Sequence, residues 1–135
     1  MQKTIMLALL LACGTAQAAE WVSLGKDLQN REIFVDVSSV RIADGVRRAW
    51  FKTVYEPHTK RGSGIHADTW RSYTLTRQAF DCAAESFKTE AGTAYFDDNS
   101  NYVIDYTNPP DPWTPVSPES IGNSMLQFIC AWKPK

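Results

Sequence analysis

A two-residue alternation of side chains recurs along this chain and restricts its fold more than any other feature. Val46–Tyr55 has the strongest pattern: one face holds Ala49, Phe51, Thr53 and Tyr55, and the other holds Val46, Arg48, Trp50, Lys52 and Val54. Glu32–Val40 alternates in the same way. Successive side chains of a strand point to opposite faces of a sheet, so both segments are predicted strands. Asp44-Gly45 lies between them and predicts a hairpin turn.

Further strands are predicted on both sides of this hairpin, because their residues are rich in β-branched and aromatic types. They are Trp21–Leu24 at a sheet edge, Thr69–Cys82, Glu85–Tyr95, and a short strand marked by Tyr102, Ile104 and Tyr106. Two polar segments predict connections, a turn at Asp97–Asn101 and a loop at His58–Ala67.

The C-terminal part predicts one helix after a proline-rich connector. Asn108–Pro118 holds five of the seven prolines, so we expect an extended segment that forms no β-ladder. Ser117 is the predicted helix cap, with Pro118 at the first helical position and Glu119 at the positive end of the dipole. An apolar stripe at helical spacing follows, made of Ile121, Met125, Phe128, Ile129 and Trp132. The predicted fold class is therefore α+β, a mostly antiparallel β-sheet with a C-terminal α-helix.

Residues 1–18 are predicted to be a signal peptide and residues 19–135 the mature domain. Lys3 precedes the apolar run Ile5–Ala12, and Ala16-Gln17-Ala18 supplies the small residues of a cleavage site. Eight apolar residues make a helix of about 12 Å, too short for a hydrocarbon core of about 30 Å, and no other stretch of the sequence is apolar for long enough. We expect export to the periplasm or the outer-membrane surface. A second interpretation is a lipoprotein, because Leu10-Leu11-Ala12-Cys13 resembles a lipobox; its signal would be unusually short.

Two cysteines, Cys82 and Cys130, remain in the mature chain. Oxidising compartments preserve disulfides, and neither cysteine has the Cys-x-x-Cys spacing or nearby histidine of a redox or metal site. We therefore expect a structural disulfide. Because Cys130 flanks the apolar stripe, this bond would tether the helix to the sheet.

No group of residues in the sequence is typical of an enzyme. His58, His66 and Asp68 could form a metal site, but the Gly62-Ser63-Gly64 segment between the histidines gives no fixed geometry, so solvated loop histidines are the favoured interpretation. We expect no catalytic residue, no metal and no cofactor. Fourteen basic and fifteen acidic side chains nearly cancel, which argues against a nucleic-acid binder.

Charge is unevenly distributed along the chain. Residues 41–80 hold eight basic and three acidic side chains, and residues 81–120 hold eight acidic and one basic. Pairing of opposite charges across neighbouring strands is the favoured explanation. The functional one is a basic patch for a polyanion, such as a matrix glycan or lipid headgroups. The candidate interaction surface is Arg48, Trp50, Lys52 and Trp70, unless the helix covers these tryptophans, which we expect it to do.

The order of these motifs resembles the surface-adhesin protein E family of Gram-negative envelope proteins. The segments that carry the resemblance are Trp21, Phe34–Val40, Val46–Lys52, Asp81-Cys82, Trp113–Ser120 and Cys130. The resemblance implies an antiparallel sheet with a disulfide-tethered C-terminal helix, an envelope location and, for some members, adhesion to host matrix proteins. No adhesive contact residue of the family maps onto a position of this sequence.

These observations favour a non-enzymatic envelope protein that binds extracellular matrix components, other envelope proteins or polyanions, and no nucleic acid. The alternative is a periplasmic binding or inhibitor protein for a small ligand or an enzyme, which an enclosed apolar pocket would favour. A hydrolase without a recognisable motif is a third class, and a shifted pKa in a cleft would favour it. The sequence leaves the oligomeric state open, a homodimer included.

The cleavage site gives the first testable prediction: Ala19 is the N-terminus of the mature protein, because Ala16 and Ala18 occupy the small-residue positions. Mass spectrometry of the exported protein measures this directly. Recovery of a diacylglyceryl-modified Cys13 as the first residue would instead establish the lipoprotein.

Overall fold

A computed structural model describes residues 17–56 and 71–135. Within these residues it has seven strands and one helix: β1 Trp21–Lys26, β2 Glu32–Ala43, β3 Val46–Val54, β4 Arg71–Asp81, β5 Ser86–Phe96, β6 Asn101–Ile104, β7 Thr114–Pro115 and α1 Ile121–Ala131. The predicted α+β class is confirmed. The signal peptide up to residue 16, the His58–Ala67 loop and the start of the strand predicted at Thr69 lie outside the described residues.

The strands form one antiparallel meander in the order β1 to β6, and β7 pairs with β5 beyond the end of β6. The predicted hairpin between β2 and β3 is confirmed: Ala43 pairs with Val46. Asp44 and Gly45 both have positive φ angles, 53° and 75°, as a two-residue type I′ turn requires. Trp21–Lys26 is an edge strand, as predicted.

α1 covers one face of this sheet. Phe51, Phe80 and Ile129 are the largest fully buried side chains, and Val35 lies beside them in the same core. Side chains alternate along β3, so the faces are separated by parity: Ala49 and Phe51 point toward α1. Arg48, Trp50 and Lys52 point to the opposite face, which we call the far face.

The predicted start of the helix was wrong by three residues. Ser120, rather than Ser117, is the N-cap, and its Oγ accepts a hydrogen bond of 3.1 Å from the Asn123 N–H. Glu119 has a φ of 58°, a left-handed conformation that cannot continue a helix begun at Pro118. The Ser120 hydroxyl also donates to the Ser117 carbonyl at 2.6 Å, which closes a turn immediately before α1.

The expectation that Asn108–Pro118 forms no ladder was also wrong. Thr114 and Pro115 form β7, paired with Phe87 and Ser86 of β5. A proline is compatible with this position because β7 is a short strand at the margin of the sheet, where its nitrogen needs no partner. The following residue restores the hydrogen bonding, since the Val116 N–H donates to the Glu85 carbonyl at 2.9 Å.

The expected disulfide is present between Cys82 and Cys130, whose Cα atoms are 5.8 Å apart. Cys82 directly follows β4, and Cys130 lies in the last turn of α1. The bond therefore holds the C-terminal end of the helix on the sheet, as predicted.

Removal of this disulfide by the double substitution Cys82→Ser and Cys130→Ser is expected to lower the free energy of unfolding by about 4 kcal/mol. The disulfide closes a loop with a sequence separation of 48 residues. Without it, the unfolded chain has more conformational entropy, which favours unfolding. Urea unfolding of the oxidised protein and the variant measures the difference. Two thiols that react in the folded, unreduced protein would contradict the assignment.

Candidate functional site

The far face combines aromatic and basic side chains from neighbouring strands. The register aligns Trp21, Asp36, Trp50 and Arg77 in one row across four strands. A second row runs through Phe34, Lys52 and Leu75. Trp50 is half-buried and Arg77 is exposed. The expectation that the helix buries Trp50 was therefore wrong, because α1 packs on the side of Ala49 and Phe51.

Two aromatic rings lie close to the cation of Lys52. Its Nζ lies 4.7 Å from the ring centroid of Tyr73 and 6.0 Å from that of Trp21, both within cation–π range. The Tyr73 ring stacks on Tyr95 with a centroid distance of 4.5 Å and an interplanar angle of 14°. Lys52 is thus placed on an aromatic surface that extends from β1 to β5.

Two arginines on this face share one carboxylate. The Nε of Arg48 lies 3.1 Å from both oxygens of Glu90, and the Nε of Arg77 lies 3.3 Å from Oε2. Glu90 can reach both because it is the extra residue of a β-bulge, where Arg77 pairs with Ala91 and Gln78 with Thr89. The favoured prediction, charge pairing across neighbouring strands, therefore describes Arg77 and Glu90, whereas the partner of Arg48 lies two strands away.

An open cleft lies beside this network, at the stretch of β5 between its β6 and β7 partners. Its volume is about 490 Å³. We call it the β5-edge cleft, and its charged and phenolic lining residues are Arg48, Arg77, Lys88, Glu90, Tyr106 and Asp111. At its rim, the Nζ of Lys88 lies 5.0 Å from the ring centroid of Trp113.

The segment after β6 forms one wall of the cleft and is held in place by two hydrogen bonds of Asp111. Asp111 accepts a hydrogen bond of 2.9 Å from the Thr89 N–H, and its own N–H donates to the Tyr106 carbonyl. The Tyr106 ring lies against Gly92, where an added Cβ would come within 2.8 Å of Cε2. Only glycine at this position allows the ring so close to β5.

Burial raises the pKa of Tyr106, and the negative charge of Asp111 adds to the effect. The phenol therefore stays protonated to a higher pH than usual. A raised tyrosine pKa provides neither a general base nor a nucleophile at neutral pH, so it does not favour a hydrolase.

Arg47 lies on the other face and has a structural role. Its Nη1 donates to the carbonyls of Ile129 and Trp132 at 3.0 and 2.6 Å. These carbonyls belong to the last turn and cap of α1, which have no intrahelical partner. Arg47 thus fastens the C-terminal end of the helix to β3, next to the disulfide.

The predicted interaction residues are only partly brought together. Arg48, Trp50 and Lys52 share the far face, whereas Trp70 lies outside the described residues, as do His58, His66 and Asp68. Sequence reasoning missed Arg77, Lys88 and Glu90 as neighbours of Arg48. The pairing register of β4 and β5 would have revealed them, but the bulge at Glu90 leaves no pattern in the sequence.

Within residues 17–56 and 71–135, no group of three or more histidine, cysteine, aspartate and glutamate side chains is arranged to hold a metal ion. Nor does that part of the chain contain a helix long and apolar enough to span a membrane.

The fold defines a small α+β domain, an antiparallel sheet whose C-terminal helix is tethered by a disulfide. The family model described as "Surface-adhesin protein E" matches residues 21–131, and the chain belongs to that family. Among solved structures it is similar to crystal form II of Haemophilus influenzae protein E, with 12% sequence identity and a TM-score of 0.57. The match covers 92% of this chain and 97% of that chain, and it establishes a shared fold. A comparison with curated proteins found no significant match.

The two neighbouring arginines of β3 are expected to differ in their effect on stability. Arg47→Ala should lower the free energy of unfolding by about 2 kcal/mol, because two charge-assisted hydrogen bonds to helix carbonyls are lost. Arg48→Ala should cost less than about 1 kcal/mol, because its ion pair is partly solvated. Urea unfolding of the two variants tests this, and equal losses would contradict the assigned roles.

Proposed function

We propose that this protein is a non-enzymatic envelope protein that binds host or matrix components, polyanions among them, through the far face. The observation that carries the proposal is the composition of this face, where the cations of Arg48, Lys52 and Arg77 lie among aromatic rings on the side of the sheet opposite α1. Membership of the surface-adhesin protein E family supports an adhesive role. The predicted signal peptide supports the location.

Two arginines lie directly opposite each other on this face, near the hairpin between β2 and β3. Arg41 of β2 and Arg48 of β3 are register partners, and like charges in that position destabilise a sheet. Glu90 offsets the charge of one arginine but is also shared with Arg77. A surface that keeps this excess of positive charge is suited to an anionic partner.

The aromatic part of the face supports the same function. Trp21 is 37% exposed, and Trp50 and Tyr73 are half-buried, so each presents part of its ring to a partner. Rigid aromatic side chains and arginines dominate the binding energy of many interfaces. The face thus offers apolar contact area as well as charge.

A small-ligand binding protein is the second candidate, and a groove between α1 and the sheet favours it. The groove has a volume of about 380 Å³, and Ile33, Phe87, Val116 and Met125 contribute to its walls. Gln78 also lines it, and its Oε1 is buried without a hydrogen-bond partner in the described part of the chain. A ligand with a donor group would satisfy that oxygen. A fluorescent dye with a hydrogen-bond donor can serve as the probe. Binding of this dye to the wild type that Gln78→Leu abolishes would favour this candidate.

Binding to immobilised heparin at low ionic strength tests the proposed function. The double variant Arg48→Ser and Lys52→Ser should bind several-fold more weakly, and the difference should shrink as salt is added, because salt screens charge attraction. Lys133→Ser with Lys135→Ser is the matched control: it removes the same charge from the segment after α1 and should bind as wild type.

Two results would contradict the proposal. Failure of the wild-type protein to bind heparin at low salt would exclude a polyanion as its partner. A double variant that binds normally but unfolds at lower temperature would show that Arg48 and Lys52 only stabilise the sheet. Immobilised matrix proteins, tested with the same variants, extend the measurement to protein partners.

A further inference from the structure

We infer that the β5-edge cleft is a binding site for one acidic sugar unit, whose carboxylate or sulfate contacts Arg48 and Arg77. This inference rests on the proposed function and specifies which group of an anionic glycan the protein recognises. It extends the binding surface from the centre of the sheet to the cleft at β5.

The geometry of the two arginines provides the anion contact. The Nε of Arg48 donates to both oxygens of Glu90 at 3.1 Å, and the Nε of Arg77 lies 3.3 Å from Oε2, so one carboxylate holds the two guanidinium groups near each other. Within the described residues, neither arginine makes a hydrogen bond through its terminal nitrogens. Planar guanidinium groups with free terminal N–H donors bind carboxylates and sulfates in a bidentate manner.

The accessible charge of the cleft is positive. Side-chain exposure is 36% for Arg48 and 45% for Arg77 but only 16% for Glu90, so the arginines face solvent and the carboxylate lies beneath them. The other acidic group, Asp111, already accepts a hydrogen bond from the Thr89 N–H. Lys88 adds a third cation to the lining.

The surroundings of the cations favour a sugar over a free inorganic ion. The volume of about 490 Å³ falls within the usual range of small-molecule sites, about 300–1,000 Å³, and is much larger than a bare oxyanion needs. Trp113 is 41% exposed beside Lys88 and offers an apolar ring on which a sugar ring can lie.

Titration with monosaccharides, followed by backbone amide chemical shifts, tests the inference. The probes are methyl glucuronide for a carboxylate, glucosamine 6-sulfate for a sulfate, methyl glucoside as the uncharged control, and inorganic phosphate. We expect one or both acidic sugars to shift amides around Glu90 and Asp111, and methyl glucoside to shift none. Whichever acidic sugar binds more tightly identifies the recognised group.

Two substitutions in the same network should act in opposite directions. Arg77→Gln should weaken acidic-sugar binding about tenfold, because a charge-assisted contact is lost. Glu90→Gln should strengthen it, because the competing negative charge is removed and both arginines are retained. A purely structural network would weaken binding in both variants, so this opposition distinguishes recognition from folding. Lys133→Ser, in the segment after α1, serves as the control and should leave monosaccharide binding unchanged.

The failure of this inference can be distinguished from the failure of the proposed function. Heparin binding by the wild type, together with monosaccharides that shift no cleft amide, would overturn the cleft site and leave the polyanion surface intact. Equal binding of phosphate and the acidic sugars would overturn the assignment of a sugar. An unchanged affinity in both Arg77→Gln and Glu90→Gln would overturn the site itself.

Discussion

Burial of one sheet face by α1 is the interaction on which the rest of this structure depends. An eleven-residue helix is too short to be stable alone in water, so its stability comes from packing. Ile129 is fully buried and lies in the same core cluster as Phe51 and Phe80. The ring centroids of the two phenylalanines are 5.7 Å apart. Two contacts keep the helix there, the disulfide and the arginine beneath its last turn, and the serine cap determines where the helix begins. Because this single helix covers only one side, the chemistry of the other side is free to serve a different purpose.

The far face shows how one carboxylate can serve both stability and recognition. Glu90 offsets part of the repulsion among the arginines, which a sheet with adjacent like charges needs. The same carboxylate orients the Arg48 guanidinium and keeps that of Arg77 beside it, so a partner would meet donors that are already placed. Pre-ordered side chains lose less conformational freedom on binding, which favours affinity. The bulge that produces this arrangement costs one unpaired residue in β5.

Side-chain periodicity, residue type and the Asp44-Gly45 turn signal were sufficient to predict β1 to β6, the hairpin between β2 and β3 and the apolar stripe of the helix, because these depend on local sequence. The choice between Ser117 and Ser120 as the cap could not be made in this way. Both serines satisfy the local rule, and the left-handed conformation of Glu119 decides between them. The sequence also did not reveal which face of the sheet α1 covers. Phe51 and Trp50 lie on opposite sides of the same strand, and both are suited to a core. The cluster around Glu90 depends on a register shift between two strands, which no single segment encodes.

The position of the disulfide in the chain also determines how the protein responds to mechanical force. A bond between residues 82 and 130 encloses β5, β6, β7 and α1 in one covalent loop. Its 48-residue separation corresponds to about 160 Å of extended chain that a pull on the two ends cannot release. Strands β1 to β4 lie before the loop, and in a meander each can peel from its neighbour in turn. Tension would therefore remove the arginines from the cleft, whereas the strand that carries their shared glutamate would stay inside the covalent loop.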